Sequence, residues 1–135
     1  MKQTGSPSVL LIGEATHGTH EFYEMRARLT QELIHSRGFR GVVIEADWPD
    51  TLRLHRFATD ASNDDVLDAM KEFRRFPRWM WRNHEMKSFL VWLQAWNREF
   101  PTGLTGIYGM DLYSMHASMD EVIRYTVIML NRDFL

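Results

Sequence analysis

The sequence predicts an α/β fold with a parallel β-sheet core and flanking helices. Three observations carry that expectation. Short apolar runs recur at Val9-Leu10-Leu11-Ile12, at Val42-Val43-Ile44 and within Thr105–Asp111, separated by segments with helical spacing. Each run is followed or closed by a carboxylate: Glu14, Glu45 and Asp111. The first two runs bracket an amphipathic stretch of helix length, the pattern of a right-handed βαβ unit with a parallel pair.

Residues 1–8 are expected to be disordered, and residues 9–135 to form part of one α/β domain. Val9–Ile12 is short, continuous and partly β-branched, so it reads as a strand buried on both faces. Gly13 to Gly18 is a turn. A helix should run from Thr19 to Arg37, with Glu21 and Glu24 at its positive dipole end and Gly38 as the C′ glycine. Phe22, Met25, Leu29, Leu33 and Ile34 fall at helical spacing and should form its buried stripe. Gly41 to Glu45 is the second buried strand.

Trp48-Pro49-Asp50 starts a short helix through Phe57, and Ala58 to Asn63 is a polar loop. Asp64 to Phe73 is expected to be helical, with Val66, Leu67, Met70 and Phe73 on one face. Arg74 to Arg78 is a basic connection. Trp79 to Arg98 reads as one long aromatic helix, stopped before Pro101. Thr105 to Asp111 is a third strand, weakened by its two glycines. The last helix runs from Ser114 to Asn131, or starts at Ser118 if Ser118-Met119-Asp120-Glu121 is a capping box. Three strands are few for a parallel sheet covered on both faces, so the expectation is an incomplete domain with one sheet edge open.

Composition narrows the function classes. The 135 residues carry a formal net charge of −2, which gives nucleic-acid binding no electrostatic support. There is no cysteine, so disulfides, thiol nucleophiles and cysteine-bound metals are excluded. No apolar run approaches the length of a membrane span, and the first eight residues lack the apolar region of a signal peptide. A cytoplasmic protein without a membrane partner is the expectation. Five Trp, eight Phe and nine Met are many for this length, and suit either a well-filled core or an apolar cleft for a bulky ligand.

The strongest chemical signal is Gly13-Glu14-Ala15-Thr16-His17-Gly18-Thr19-His20. It puts a carboxylate and an imidazole where α/β sheets build their sites, at the carboxyl ends of strands. There a carboxylate can orient an imidazole for proton transfer. Alternatively, Glu14 caps the next helix and His17 is a solvated turn residue. Glu14, Glu45 and Asp111 should converge on one sheet edge, or else each tethers its own helix. Arg26 lies on the apolar face of the first helix. It either pairs with Glu14 or Glu45 or reaches out to water.

No nucleophile elbow, dinucleotide fingerprint or P-loop is present. A hydrolase built on this chain would therefore use water, with His17 as the base because imidazole titrates near neutral pH. Glu14 would orient it. Glu14, His17 and His20 also read as Glu-x-x-His-x-x-His, a spacing that could bind a metal on a helix. Gly18 and the turn context argue against that helix, so no metal and no cofactor is expected, and a metal-dependent hydrolase stays as an alternative. A non-catalytic module that binds a small molecule is another. In Phe76-Pro77-Arg78-Trp79-Met80-Trp81-Arg82-Asn83, Trp79 and Trp81 could line a cleft with Arg82 on an anion or carbonyl, or could be core with the arginines solvated. His35, His55, His84 and His116 have no evident partner and are expected in surface or cap positions.

These residues together resemble a known family. Gly13-Glu14-Ala15-Thr16-His17-Gly18 with Glu21, Gly38-Phe39, Val43-Ile44-Glu45-Ala46, Trp79-Met80-Trp81-Arg82-Asn83 and Tyr108-Gly109-Met110-Asp111-Leu112-Tyr113 look like the erythromycin esterase family. The resemblance runs from about Leu10 to Tyr125, and is greatest to the esterase-like homologues with the Trp-Met-Trp-Arg-Asn motif. It implies an erythromycin esterase-like α/β fold and hydrolysis of a small-molecule ester or lactone, which in the resistance enzymes is the macrolide lactone. It further implies His17 as general base, Glu14 as motif glutamate, Arg26 and Glu45 as site residues, and no metal. Family members are much longer, and their later part carries further site residues including another histidine. The resemblance thus implies that this chain holds part of a site.

Overall fold

A computed structural model describes residues 8–60, 65–74 and 78–132. Among them are five α-helices and two strands: α1 (His20–Arg37), β1 (Gly41–Asp47), α2 (Trp48–Thr59), α3 (Val66–Met70), α4 (His84–Glu99), β2 (Gly106–Asp111) and α5 (Met115–Arg132). Single 3₁₀ turns span Arg78–Met80 and Pro101–Gly103. The arrangement is α/β, with helices flanking a small parallel sheet.

Local chemistry sets these limits. Gly38 ends α1 in the left-handed conformation, φ 70°. Its N–H donates to the Ile34 carbonyl and that of Phe39 to Leu33, which satisfies the last carbonyls of the helix. Pro49 occupies the first turn of α2, where its missing N–H costs nothing. Asn83 caps α4 by accepting the Met86 N–H at 2.8 Å, and Asp65 caps α3 by accepting from Leu67 and Asp68.

β1 and β2 pair in parallel, Gly41 against Gly106 through Ile44 against Gly109, with an irregularity before Asp47 meets Asp111. The core lies where α2 and α4 pack together beside this pair, around Leu54, Phe57, Leu90, Leu93 and Ile107, all essentially inaccessible to water. Polar groups inside it are matched. Gln94 donates to the Phe57 carbonyl at 2.9 Å, and Asn97 donates to the carbonyls of Ala58 and Thr105 and accepts the Thr105 N–H. Gly109 lets α2 come close. A Cβ there would stand 2.5 Å from the Ala46 carbonyl and 2.6 Å from Thr51 Oγ1. α1 leans on α4 through His35 edge-on to Trp96, and on the segment before α4 through Tyr23 edge-on to Trp81.

Several expectations are corrected. Val9–Ile12 is not a strand and is not buried on both faces: Val9 is 71% exposed and Leu11 91%. A strand exists only when a neighbour takes up its backbone groups. This segment instead stands across a cavity of about 720 Å³ from β1. The βαβ unit expected across α1 is therefore absent, and the parallel pair is formed by the second and third predicted strands. The predicted stripe of α1 is only partly buried, with Met25 and Leu29 about half exposed and Tyr23 buried instead.

The aromatic helix begins at His84, not Trp79, because the Asn83 side chain supplies the cap. Of the expected Asp64–Phe73 helix, Val66–Met70 is helical and Lys71–Phe73 is not, while Asp64 lies outside the described residues. Ser118 starts no helix: its N–H donates to the Ser114 carbonyl inside α5. The disorder expected of residues 1–7, most of the Ala58–Asn63 loop tip and most of the Arg74–Arg78 connection lie outside the described residues.

Candidate functional site

The turn after Ile12 brings Glu14 and His17 together. With Nδ1 protonated, His17 donates to Glu14 Oε1 at 2.6 Å, which leaves Nε2 with its lone pair. Gly18 makes this turn possible. Its φ of +88° is the left-handed region, and a Cβ there would press on the Trp79 ring at 3.4 Å. The Glu14 side chain is only 7% exposed, while His17 is 46% exposed. The carboxylate is thus fixed at the back and the imidazole reaches out from it.

Arg26 comes from the second turn of α1. Its Nη2 lies 3.0 Å from Glu14 Oε2. The guanidinium carbon sits 4.5 Å over the Tyr23 ring and 5.8 Å from that of Trp81, so the cation is held by a carboxylate and two aromatic faces. The approach reaches ion-pair distance without hydrogen-bond alignment, and Oε2 is buried with no donor. The Tyr23 hydroxyl is buried close by. Burial first, and the Glu14 charge second, hold that phenol above its usual value of 10.0.

Glu14, His17 and Arg26 line the cavity between the Val9–Ile12 segment, α1, β1 and α4. Glu45, Trp81 and Glu85 line it as well. The Trp81 indole N–H donates to the Glu45 carbonyl at 2.7 Å, which ties the start of α4 to β1. The remaining wall is mostly apolar. The cavity thus pairs a compact charged centre with a greasy trough, the usual composition of a small-molecule site.

His20 does not join Glu14 and His17. Its Nδ1 lies 2.5 Å from Glu85 Oε1, across from α1 to α4, and its Nε2 lies 3.7 Å from Glu24. The Glu85 hydrogen bond is the main reason that the His20 imidazole is held above 6.5; burial works against it, and the charges of Glu85, Glu24 and Glu21 add to the rise. Burial would raise the Glu85 carboxyl, but bonds from its own backbone N–H and from His20 outweigh it and hold it below 4.5. Glu14, His17 and His20 therefore do not form the three-ligand cluster that the metal alternative requires. Among the described residues no three His, Asp or Glu side chains are placed to hold a metal ion.

The three strand-end carboxylates do not all converge. Glu14 and Glu45 share the cavity wall, whereas Asp111 sits on β2, with one carboxylate oxygen buried and unpartnered. The Asp111 charge is the first reason that the Tyr113 phenol is raised. Beside it, Asp47 accepts the N–H groups of Tyr113 and Ser114 and the Ser114 hydroxyl, which anchors the start of α5. Trp81 is buried in the cavity wall, whereas Trp79 is partly exposed and Arg82 points outside that wall. Sequence reasoning overlooked Tyr23, Glu85 and Asp47. Glu85 does carry one readable signal, an acid in the first turn after an Asn cap, but its partner is 65 residues away.

The chain matches the family described as Erythromycin esterase over residues 34–127, well over half of its length. It is also similar to a crystal structure of a Bacillus cereus protein, at 28% identity and a TM-score of 0.62, over 76% of this chain and 23% of that one. The chain thus spans about a quarter of that protein's length. No helix among the described residues is long and apolar enough to cross a membrane.

Proposed function

The chain belongs to the erythromycin esterase family, and from that membership and the geometry we propose that it carries the water-activating part of an ester or lactone hydrolase. The observation that supports this reading is the buried Glu14 carboxylate held between His17 and Arg26. Glu14 fixes the His17 tautomer, so Nε2 can accept a proton from a water in the cavity. Arg26 adds positive charge near the carbonyl oxygen as it becomes an oxyanion.

In the reaction, water oxygen bonds to the acyl carbon as His17 takes one proton. Collapse of the tetrahedral intermediate breaks the bond to the alcohol oxygen, which takes the bonding electron pair and the proton that His17 holds. A carboxylic acid and an alcohol leave, and no covalent bond to the protein is needed. The apolar trough suits a substrate with a bulky hydrocarbon part, and a macrolide is one such compound.

The test is hydrolysis of erythromycin and a panel of simple esters by the protein and its His17→Ala variant. The expected result is turnover that falls by about 10²–10⁴-fold in the variant. Full activity of His17→Ala would remove His17 from the mechanism. Binding of an ester with no turnover by the unaltered protein would favour a binding module instead.

A further inference from the structure

Among the described residues β1 is paired on one side only. One edge meets β2, and the other has no strand beside it. The Gly106 N–H of β2 donates to the Arg40 carbonyl. Backbone groups alternate from side to side along a strand, so the Val43 N–H faces away from β2. The Glu45 carbonyl faces away as well, since it accepts from the Trp81 indole. Val9–Ile12, across the cavity, takes part in no ladder either. Two segments with free backbone groups thus flank one trough.

The two segments run the same way. α1 lines the cavity with Tyr23 and Arg26 at one end and Leu33 and Ile34 at the other. Glu14 meets Arg26 at 3.0 Å, and the Glu45 carbonyl meets Trp81, whose ring lies 5.8 Å from the same guanidinium. Both carboxyl ends therefore lie at the Arg26 end, with Trp81 and Arg26 between them. Val9-Leu10-Leu11-Ile12 and Val42-Val43-Ile44 are continuous apolar runs, the composition of strands inside a parallel sheet. In such a sheet the two neighbours of any strand stand about 10 Å apart, twice the usual spacing.

We propose that this trough is the docking site of one further apolar β-strand, parallel to β1 and supplied by the part of a family protein that this chain does not span. A protein of the Bacillus cereus length has ample chain to provide it. The strand adds by main-chain hydrogen bonds to both flanks at once. Its side chains meet Ile34, Phe39, Phe89 and Met110, and the charged groups are confined to the Glu14 end and the α4 wall. Its carboxyl end emerges between Glu14 and Glu45, where sheets of this kind place their ligands. Substrate keeps the charged end and the walls of α1 and α4. The proposal goes beyond the hydrolase reading and does not depend on it.

The experiment is amide hydrogen exchange by NMR on this chain, alone and with the blocked peptide Lys-Val-Ile-Val-Ile-Lys as the strand probe. With the peptide, exchange at Val43 and at alternate residues of Val9–Ile12 should slow together by about tenfold or more, since both flanks gain bonds. The same peptide with N-methyl groups on alternate residues should slow neither flank. In the longer Bacillus cereus protein the matching amides should be slow with no peptide added. Protection of β1 alone would mean simple edge addition and would overturn insertion. Protection of both flanks without peptide would mean that Val9–Ile12 closes onto β1 itself, which also overturns it. So would no protection at all, an equal effect of the N-methylated peptide, or fast exchange in the longer protein. Ester turnover plays no part in these readings, so the hydrolase proposal stands or falls separately.

Discussion

Arg26 and Glu14 meet at 3.0 Å beneath the His17 imidazole, with the guanidinium laid across Tyr23. The pair unites α1 with the turn that carries His17. Replacing Arg26 by Met should strand a carboxylate that is only 7% exposed. Removal of one member of such a pair costs about 3–5 kcal/mol when the pair is fully buried. Arg26 is 22% exposed, so about 2–3 kcal/mol is expected on that scale, read from urea denaturation at pH 7. Arg26→Lys should recover only part of the loss, since an ammonium cannot lie flat on the ring.

The His20–Glu85 contact should show in a titration. By NMR the His20 midpoint should lie above 6.5, and Glu85→Gln should bring it back toward that value. The stability effect has a defined window. His20 gains affinity for its proton on folding, so its contribution is complete below 6.5 and disappears as pH rises through the folded midpoint. Glu85 loses affinity, so its contribution is present above 4.5 and disappears as pH falls through its own midpoint. The difference in denaturation midpoint between the protein and Glu85→Gln should therefore be greatest between pH 4.5 and 6.5. A difference that grows steadily toward alkaline pH would contradict it.

Gly109→Ala should be poorly tolerated although no unusual backbone angle is involved. The new methyl would meet the backbone carbonyls of Ala46 and Asp47 and the hydroxyl of Thr51, none of which is a flexible chain end. Overpacking of this kind costs about 1–3 kcal/mol. Thermal unfolding followed by circular dichroism would read it, and the same change at Gly13, where nothing lies within reach, is the control.

Asn97→Ala should cost about 3 kcal/mol, since it strips donors from two buried carbonyls and an acceptor from the Thr105 N–H. Asn97→Asp is the sharper variant. It keeps the acceptor but loses both donated bonds, so a loss close to that of alanine would assign most of the energy to the carbonyl contacts.

How much of this was readable beforehand varies with the physics. The ends of α1 are legible because they depend on neighbours in sequence: an acid in the first turn and Gly38 after the last. β1 and β2 are legible because both are compact apolar runs. Val9–Ile12 has the same composition and is not a strand, since pairing is a relation between segments and composition reports only one of them. The Glu14–His17 contact is visible at a spacing of three residues. The Arg26 pairing required only that a cation on an apolar helix face find an anion. Glu85 was invisible for the opposite reason, its partner lying on another helix. Asp47 shows how a strand-end acid can act as an anchor: it holds the backbone that begins α5.

α5 turns Met115, Met119, Val122, Ile123, Tyr125 and Ile128 to water, each more than half exposed. That surface will complicate bench work on this chain. Hydrophobic dyes such as ANS, which are used to detect loosely packed states, will fluoresce with the correctly folded chain. A bright signal will say little about its packing. The five tryptophans give a better gauge. Trp92 and Trp96 stack 5.7 Å apart on α4, and a near-ultraviolet dichroism band from that pair will vanish when the interior loosens, whatever the dye reports.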